Sequence, residues 1–318
     1  MNFKIRLLFM VLLCLICAES LKANNPLLVI PFGYDYVNMG RHEIHFPVFG
    51  VGYLTDEKDK SFTDIEKRFL ILALYRPFFF KEEPLLNEPK NYHQIDALFD
   101  VQMLRHQYLL IFKASSDQPI TGGLSTFQAG LGWGYELVRK ENFSFILGGA
   151  LGVSDFGINT PSGKIVPVLP LPLIRLKANT NTFSSSFDFL TGPVFSCTIL
   201  PKKKIRLTSE VRMDYYRSMN DIISEFTTWY RPFGVEQSFG DFAGVGVGFK
   251  NDSVNTFISN DKVSFEVQQS SLFAVLDLSI LKIEYGKIIK SRFLIDEETT
   301  GKQGKGYYVS IQGVIPLK

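Results

Sequence analysis

Apolar and polar side chains alternate along this chain with a period of two, over segments longer than ordinary strands. In extended backbone successive side chains point to opposite faces. Across residues 205–216, Ile205, Leu207, Val211, Met213 and Tyr215 share one face, and Arg206, Thr208, Glu210, Arg212 and Asp214 share the other. Ser125 to Leu137 sets Phe127, Ala129, Leu131, Trp133, Tyr135 and Leu137 against Thr126, Gln128, Gly130, Gly132, Gly134 and Glu136. Gln94 to Met103 sets Ile95, Ala97, Phe99, Val101 and Met103 against Gln94, Asp96, Asp100 and Gln102, with Leu98 out of phase. The last segment opposes Tyr307, Val309, Ile311 and Ile315 to Tyr308, Ser310 and Gln312.

Length separates two ways of using such strands. Strands of soluble proteins run to about 5 or 6 residues, whereas a tilted membrane strand needs about 9 to 11. The pattern therefore predicts an all-β fold, a single antiparallel transmembrane β-barrel. A soluble secreted β-sandwich or lipid-binding protein stays open as an alternative, because its strands also have one apolar and one polar face. Aromatic residues near the ends of apolar faces, Trp133, Tyr135, Tyr215 and Tyr307, suit the two lipid-water boundaries.

Candidate strands begin near Leu28, Ile44, Phe69, Gln94, Tyr108, Leu124, Phe143, Ile165, Phe183, Pro193, Ile205, Phe242, Val254, Val263, Leu272, Ile288 and Tyr307. Merging neighbours at roughly 20 to 29 residues per strand, and keeping an even number, gives about 12 strands within a range of about 10 to 14. Pro167, Pro170 and Pro172 lack ladder donors, so the Ile165 segment is expected as a barrel-rim strand or as a loop folded into the lumen. Arg139–Asn142, Asn179–Thr182 and Asn251–Ser253 read as periplasmic turns. Asp56–Thr63, Lys81–Asn91, Asp155–Lys164, Met219–Gly234 and Asp296–Gly304 read as outer loops.

The first residues set the compartment. Lys4 and Arg6 precede an apolar run from Leu7 to Ala18, and small residues at Ala18, Ser20 and Ala23 offer cleavage positions. Residues 1–23 are thus expected to be a secretory signal peptide and residues 24–318 one barrel domain. Removing the signal takes Lys4, Arg6 and Lys22 against Glu19, which brings the formal charge of +2 to zero. That balance excludes the basic excess of a nucleic-acid binder. Cys14 and Cys17 leave with the signal, and Cys197 alone cannot form an internal disulfide. No later stretch is a spanning helix: the most apolar, Phe69 to Phe80, contains Arg76 and Pro77.

Candidate chemistry is sparse. Gly130, Gly132 and Gly134, and again Gly244, Gly246 and Gly248, fall on the face opposite the apolar residues, where they ease close packing of a curved wall. Neither run has the lysine and helix of a phosphate-cradling loop. His42 and His45 fall on opposite faces of an extended chain, and His93 and His106 flank the Gln94–Met103 strand. No G-x-S-x-G elbow or HExxH helix occurs. Asp96 and Asp100, or Glu210 and Asp214, stand roughly 13 Å apart along a strand, too far to act on one bond in the usual paired-carboxylate manner. No catalytic, cofactor-binding or metal-ligating residue is assigned, and an enzyme is not expected. The possible lumen-lining set is Asp96, Asp100, Gln102, Gln128, Glu136, Arg206, Glu210, Arg212 and Asp214.

With an export signal, long dyad strands and a final segment reading Lys302-x-Gly304-x-x-Tyr307-x-Val309, the chain resembles bacterial outer-membrane β-barrel proteins as a broad class. It departs from their pattern by closing on Pro316, Leu317 and Lys318 in place of an aromatic residue. The resemblance implies an outer-membrane location, with membrane lipid, the barrel-insertion machinery and a possible small solute as partners. The expected role is a narrow channel or transporter for small polar or amphipathic solutes. A non-conducting surface barrel with a structural or partner-binding role is the alternative.

Overall fold

The computed structural model describes residues 27–39, 43–57, 67–80, 91–116, 125–159, 165–189, 193–213, 222–231, 244–258, 263–278, 280–295, 298–303 and 305–317. The expected signal peptide, residues 1–23, lies outside them, as do His42, Asp214 and Tyr215. Extended chain dominates. The first six strands are β1 (Leu27–Asn38), β2 (Glu43–Glu57), β3 (Lys67–Phe80), β4 (Asn91–Met103), β5 (His106–Ser116) and β6 (Ser125–Lys140). Next come β7 (Phe143–Asn159), β8 (Ile165–Asn179), β9 (Phe183–Phe189), β10 (Pro193–Ile199), β11 (Ile205–Met213) and β12 (Ile222–Tyr230). The last are β13 (Gly244–Ile258), β14 (Val263–Asp277), β15 (Leu281–Ile295), β16 (Glu298–Gln303) and β17 (Gly306–Leu317).

All of them belong to one antiparallel sheet that closes on itself. β1 pairs with β2 on one side and with β17 on the other, from Leu28 against Leu317 to Asn38 against Tyr307. β15 pairs with β16 through Ser291–Ile295 and with β17 through Leu281–Ile288, so β16 and β17 are two parts of one wall strand. The ring thus has 16 strands. Closure leaves no open sheet edge, which is the condition for strands to cross a hydrocarbon layer.

The expected count of about twelve is corrected to sixteen for two reasons. Connections such as Leu104–Arg105 and Glu141–Asn142 have only two residues, so each strand consumes less chain than assumed. The expected outer loop Met219–Gly234 also conceals β12. There Phe226 and Tyr230 share the outward face with Ser224 and Thr228, while Ile223 and Trp229 share the inward face with Glu225 and Thr227, so neither side is uniformly apolar. Conversely, Asn251–Ser253, read as a turn, lies inside β13, and the candidate starts at Val254, Leu272 and Ile288 lie inside β13, β14 and β15. Residues 155–159 and 298–303, read as loop, belong to β7 and β16.

The proline-rich Ile165 segment is a wall strand, not a lumen loop. β9 reaches only Ile174 to Asn179 of β8, so Pro170 and Pro172 sit beyond the end of that ladder, where a missing donor costs nothing on the β9 side. The ends Leu27 and Leu317 share a rim with the tight turns at 104–105 and 141–142. β2 ends at this same rim, so the stretch Asp56–Thr63, expected outside, starts on the side of the short turns.

Which face looks outward follows from exposure. Leu131 is 62% exposed, Val247 61% and Tyr285 56%, whereas the residues between them are largely buried. At one rim Tyr108, Trp133 and Tyr135 surround His106, and at the other Tyr34 and Tyr36 pack on His45, with Tyr36 and Tyr285 against Tyr307. His93 and Met103 mark the two levels on β4; ten residues of strand span roughly 34 Å, and a tilt of about 40° leaves about 25 Å across the membrane, the height of a typical apolar band. No described helix is long and apolar enough to cross a membrane; the crossing is made by strands, and this girdled ring places the protein in an outer membrane.

The outward band makes a directional prediction. Leu131→Arg is expected to destabilise the barrel by about 2 to 4 kcal/mol in urea titrations from lipid vesicles, while Ser196→Arg, on the inward face, should cost less than half as much.

Candidate functional site: the barrel interior

The interior surface follows from register, since directly paired residues share a face. On β4 it carries Gln94, Asp96, Leu98, Asp100 and Gln102, and on β6 Gln128, Gly130, Gly132, Gly134 and Glu136. On β11 it carries Arg206, Thr208, Glu210 and Arg212. Asp100, Gln128 and Glu136 are buried, and Glu210 and Arg212 remain exposed. Asp214 of the sequence-derived set lies outside the described residues.

Several charges inside this wall are paired. Arg175 on β8 is the longest link: its Nε donates to Asp188 at 2.5 Å and its Nη1 to Asp100 on β4 at 3.2 Å. Asp100 also accepts from Gln107 at 2.7 Å. The strap reaches from β8 across β7, β6 and β5 to β4. Elsewhere Arg76 Nε stands 3.2 Å from Asp96, a charge contact without hydrogen-bond alignment. Arg139 caps Glu136, its Nε donating at 2.6 Å. Arg212 faces Asp252 at 3.5 Å, and Arg231 pairs with Asp277 at 3.0 Å.

A second centre joins β13, β15 and β17. Lys250 Nζ donates to Glu284 at 2.7 Å, and the Tyr308 hydroxyl donates to the same carboxylate oxygen at 2.5 Å. The ammonium also lies 4.3 Å from the Tyr308 ring centroid, a placement that adds attraction to the ring face. Glycines make room for these groups: a side chain at Gly286 would strike the Tyr308 ring, and one at Gly246 or Gly248 would crowd Trp229 or Phe273. The glycine runs therefore do face inward, and several are occupied by rings of the adjoining strand.

The interior is not uniformly polar, which corrects the simple picture of greasy outside and wet inside. Val37, Ile44, Phe46, Phe78, Phe273 and Ile288 pack there as a buried cluster with Trp229 and Tyr308. Phe46 and Phe78 meet edge-on with centroids 5.0 Å apart. These strands are apolar on both faces, so alternation alone cannot register the cluster. Farther round the wall, Leu72, Leu74, Leu98, Leu109, Ile111 and Leu171 surround a cavity of about 310 Å³ with Arg76, Asp96, Lys113 and Gln128 at one end. The out-of-phase Leu98 is thereby explained: it points into this trough. β13 approaches β5 and β6 within 8 Å between Cα atoms. In a ring of sixteen, β5 and β13 are diametrically opposed, so the barrel is flattened and its bore narrow.

Three of the histidines face lipid, not the interior. Tyr34 and His45 are hydrogen-bonded at 2.5 Å, Tyr75 and His93 at 2.6 Å, and His106 stacks within its aromatic group. Among the described residues no three His, Cys, Asp or Glu side chains converge as metal ligands. Cys197 shares the outward side with Phe195 and Ile199.

Lys250 and Glu284 are the pair whose separation should be felt most, being largely buried. Lys250→Met is expected to cost about 3 to 5 kcal/mol in folding titrations, and Lys250→Met with Glu284→Leu should recover most of it, because the loss comes from a stranded charge.

No protein-family model matches the chain, and no curated protein sequence does. Solved structures aligned with it include the OccK9 (OpdG) and OccK5 (OpdH) proteins of Pseudomonas aeruginosa and OccAB4 of Acinetobacter baumannii. OccK9 shares 8% identity over 92% of this chain and 99% of its own, with a TM-score of 0.41. OccK5 shares 10% over 94% and 99%, with a TM-score of 0.41, and OccAB4 8% over 92% and 98%, with a TM-score of 0.32. At such scores nothing of those proteins' activities is carried to this chain. Its own closed ring, outward apolar band and paired aromatic girdles make it a bacterial outer-membrane β-barrel protein.

Proposed function

We propose that the barrel is a narrow outer-membrane channel or transporter for small amphipathic solutes, and that Asp96, Asp100, Gln102, Gln128, Glu136, Arg206, Glu210 and Arg212 line its path. One observation carries the reading: two sectors of the interior differ in kind. From β3 to β8 the inward positions mix leucines and glycines with Gln94, Asp96, Asp100, Gln102 and Gln128, and from β9 to β11 Ser184, Ser186, Ser196, Thr198 and Thr208 stand where the leucines were. A solute with one apolar and one polar side is desolvated on neither side as it moves between such walls. Charges of both signs on the inner wall, Arg175 with Asp188 and Arg212 with Asp252 among them, bias entry by electrostatics.

The buried interior cluster around Phe46, Phe78 and Phe273 favours a second reading, a barrel that does not conduct and serves as a surface or structural protein. Planar-bilayer recordings of the purified protein separate the two. The channel reading expects reproducible conductance steps, enlarged by Arg175→Ala because the strap across the wall is gone. Silent bilayers with a folded, heat-modifiable barrel support the second reading.

A further inference from the structure

We infer that the barrel wall opens sideways to the membrane above the hairpin of β9 and β10, and that an aliphatic amphiphile moves through this gap between the β3–β8 trough and the surrounding lipid. What travels follows from the amphipathic-solute reading; the opening itself stands on the wall alone.

The ring that closes through β1 and β17 is not of one height. Strands β1 to β8 have 11 to 17 residues, whereas β9 and β10 have 7 each. Seven residues cover about 20 Å of strand, and at a tilt of about 40° they rise about 16 Å, short of an apolar band about 25 Å tall. Only three residues separate Phe189 from its ladder partner Pro193, so chain length caps the hairpin at about 7 Å beyond that rung. β8 goes much higher. Its ladder with β9 stops at Ile174–Phe189, and its residues 165–173 run on against β7 with no partner on the β9 side among the described residues. Val168, Pro170 and Pro172 are outward and exposed there, so this length of β8 still faces lipid.

An unpaired strand edge at membrane depth is tolerated where it lines a wet cavity, not where it meets hydrocarbon directly. Pro167, Pro170 and Pro172 take three N–H groups out of this edge and spoil it as a template for a further strand. The gap is therefore wet and stays open.

Its two sides differ. On β8, Leu171 and Leu173 are inward beside it; Leu171 lines the trough with Leu109 and Ile111, and Leu173 lies over Gly134. On the hairpin Ser186 and Ser196 pair on the inner face, and Asp188 near the top rung holds Arg175. An aliphatic chain can slide along the leucines while its polar head stays on the hydroxyl and charged side, so neither part leaves surroundings that suit it.

The test is fluorescence quenching in the full-length protein reconstituted into phosphatidylcholine brominated midway along its acyl chains. Single tryptophans are compared: Leu171→Trp or Leu131→Trp, each with Trp133→Phe and Trp229→Phe, and native Trp229 with Trp133→Phe. Leu171→Trp is expected to lose as much emission as the outward Leu131→Trp, while Trp229, inward and below the gap, keeps most of its own. A Leu171→Trp signal no more quenched than that of Trp229 overturns the opening. If Trp229→Phe does not fold, the quenchable emission that Leu171→Trp adds to Trp133→Phe alone gives the same reading. In unbrominated bilayers 11-bromoundecanoate should quench Leu98→Trp in the trough, and a bulky maleimide on Pro170→Cys, with Cys197→Ser, should slow that quenching about tenfold. An unchanged rate overturns the sideways route. Oxidation that joins two copies through the outward Cys197 would show the low wall covered by a second copy and overturn it as well. Conductance steps without quenching of Leu171→Trp overturn the opening and spare the channel reading; quenching in protein that is silent in bilayers does the reverse.

Discussion

Backbone hydrogen bonding in hydrocarbon is the constraint from which this structure follows. A peptide group facing acyl chains finds no water, and an unpaired one costs several kcal/mol. Strands satisfy their N–H and C=O groups only through neighbours, so the sheet has to end where it began. The ladder between β1 and β17, eleven residue pairs from Leu28–Leu317 to Asn38–Tyr307, is that junction. Once the ring is closed, the strand period of two divides every segment between lipid and interior, and the aromatic girdles settle at the levels where the two solvents meet.

The interior shows what a wide ring does when it is not filled by water alone. Sixteen strands can enclose an aqueous bore, yet here opposite walls approach within 8 Å at β13 and β5 or β6. Rings of Trp229, Phe273 and Tyr308 lie along the wall over neighbouring glycines, and the Arg175 strap reaches from β8 to β4. Glycine thus has two separate uses: to seat aromatic rings, and, at Gly130, to leave the wall uncovered. The same apolar and charged groups that hold the flattened shape also define what the remaining space can accept.

Much of this was readable in the sequence wherever one face meets lipid and the other does not. Phe127 to Leu137 and Ile95 to Met103 announce both their conformation and their outward faces, because lipid on one side and charge on the other leave a full-amplitude alternation. The signal fades where the inward face is also apolar. Leu98 looked like an error in a strand and is part of a trough; Phe46 and Phe78 looked like ordinary members of apolar runs and form an interior cluster. β12 went unseen because Thr228 faces outward and Trp229 inward, against the usual sense. Proline in β8 leaves a rim strand and a lumen loop equally open on sequence, and the shortness of β9 explains how the strand accommodates it. Partners such as Arg175 with Asp100, 75 residues apart, depend on the combined register of five successive strands, which no local pattern encodes.

The assignment of faces supports every other statement about this protein, and spin-label accessibility tests it most directly. Single nitroxides would be placed in turn at positions 127 to 136 of β6 in the bilayer-reconstituted protein, and collisions with oxygen compared with those of a water-soluble nickel chelate. High oxygen accessibility at Phe127, Ala129, Leu131 and Trp133, falling at each intervening position, is the predicted result. An inverted phase, or no alternation across the strand, would contradict the account.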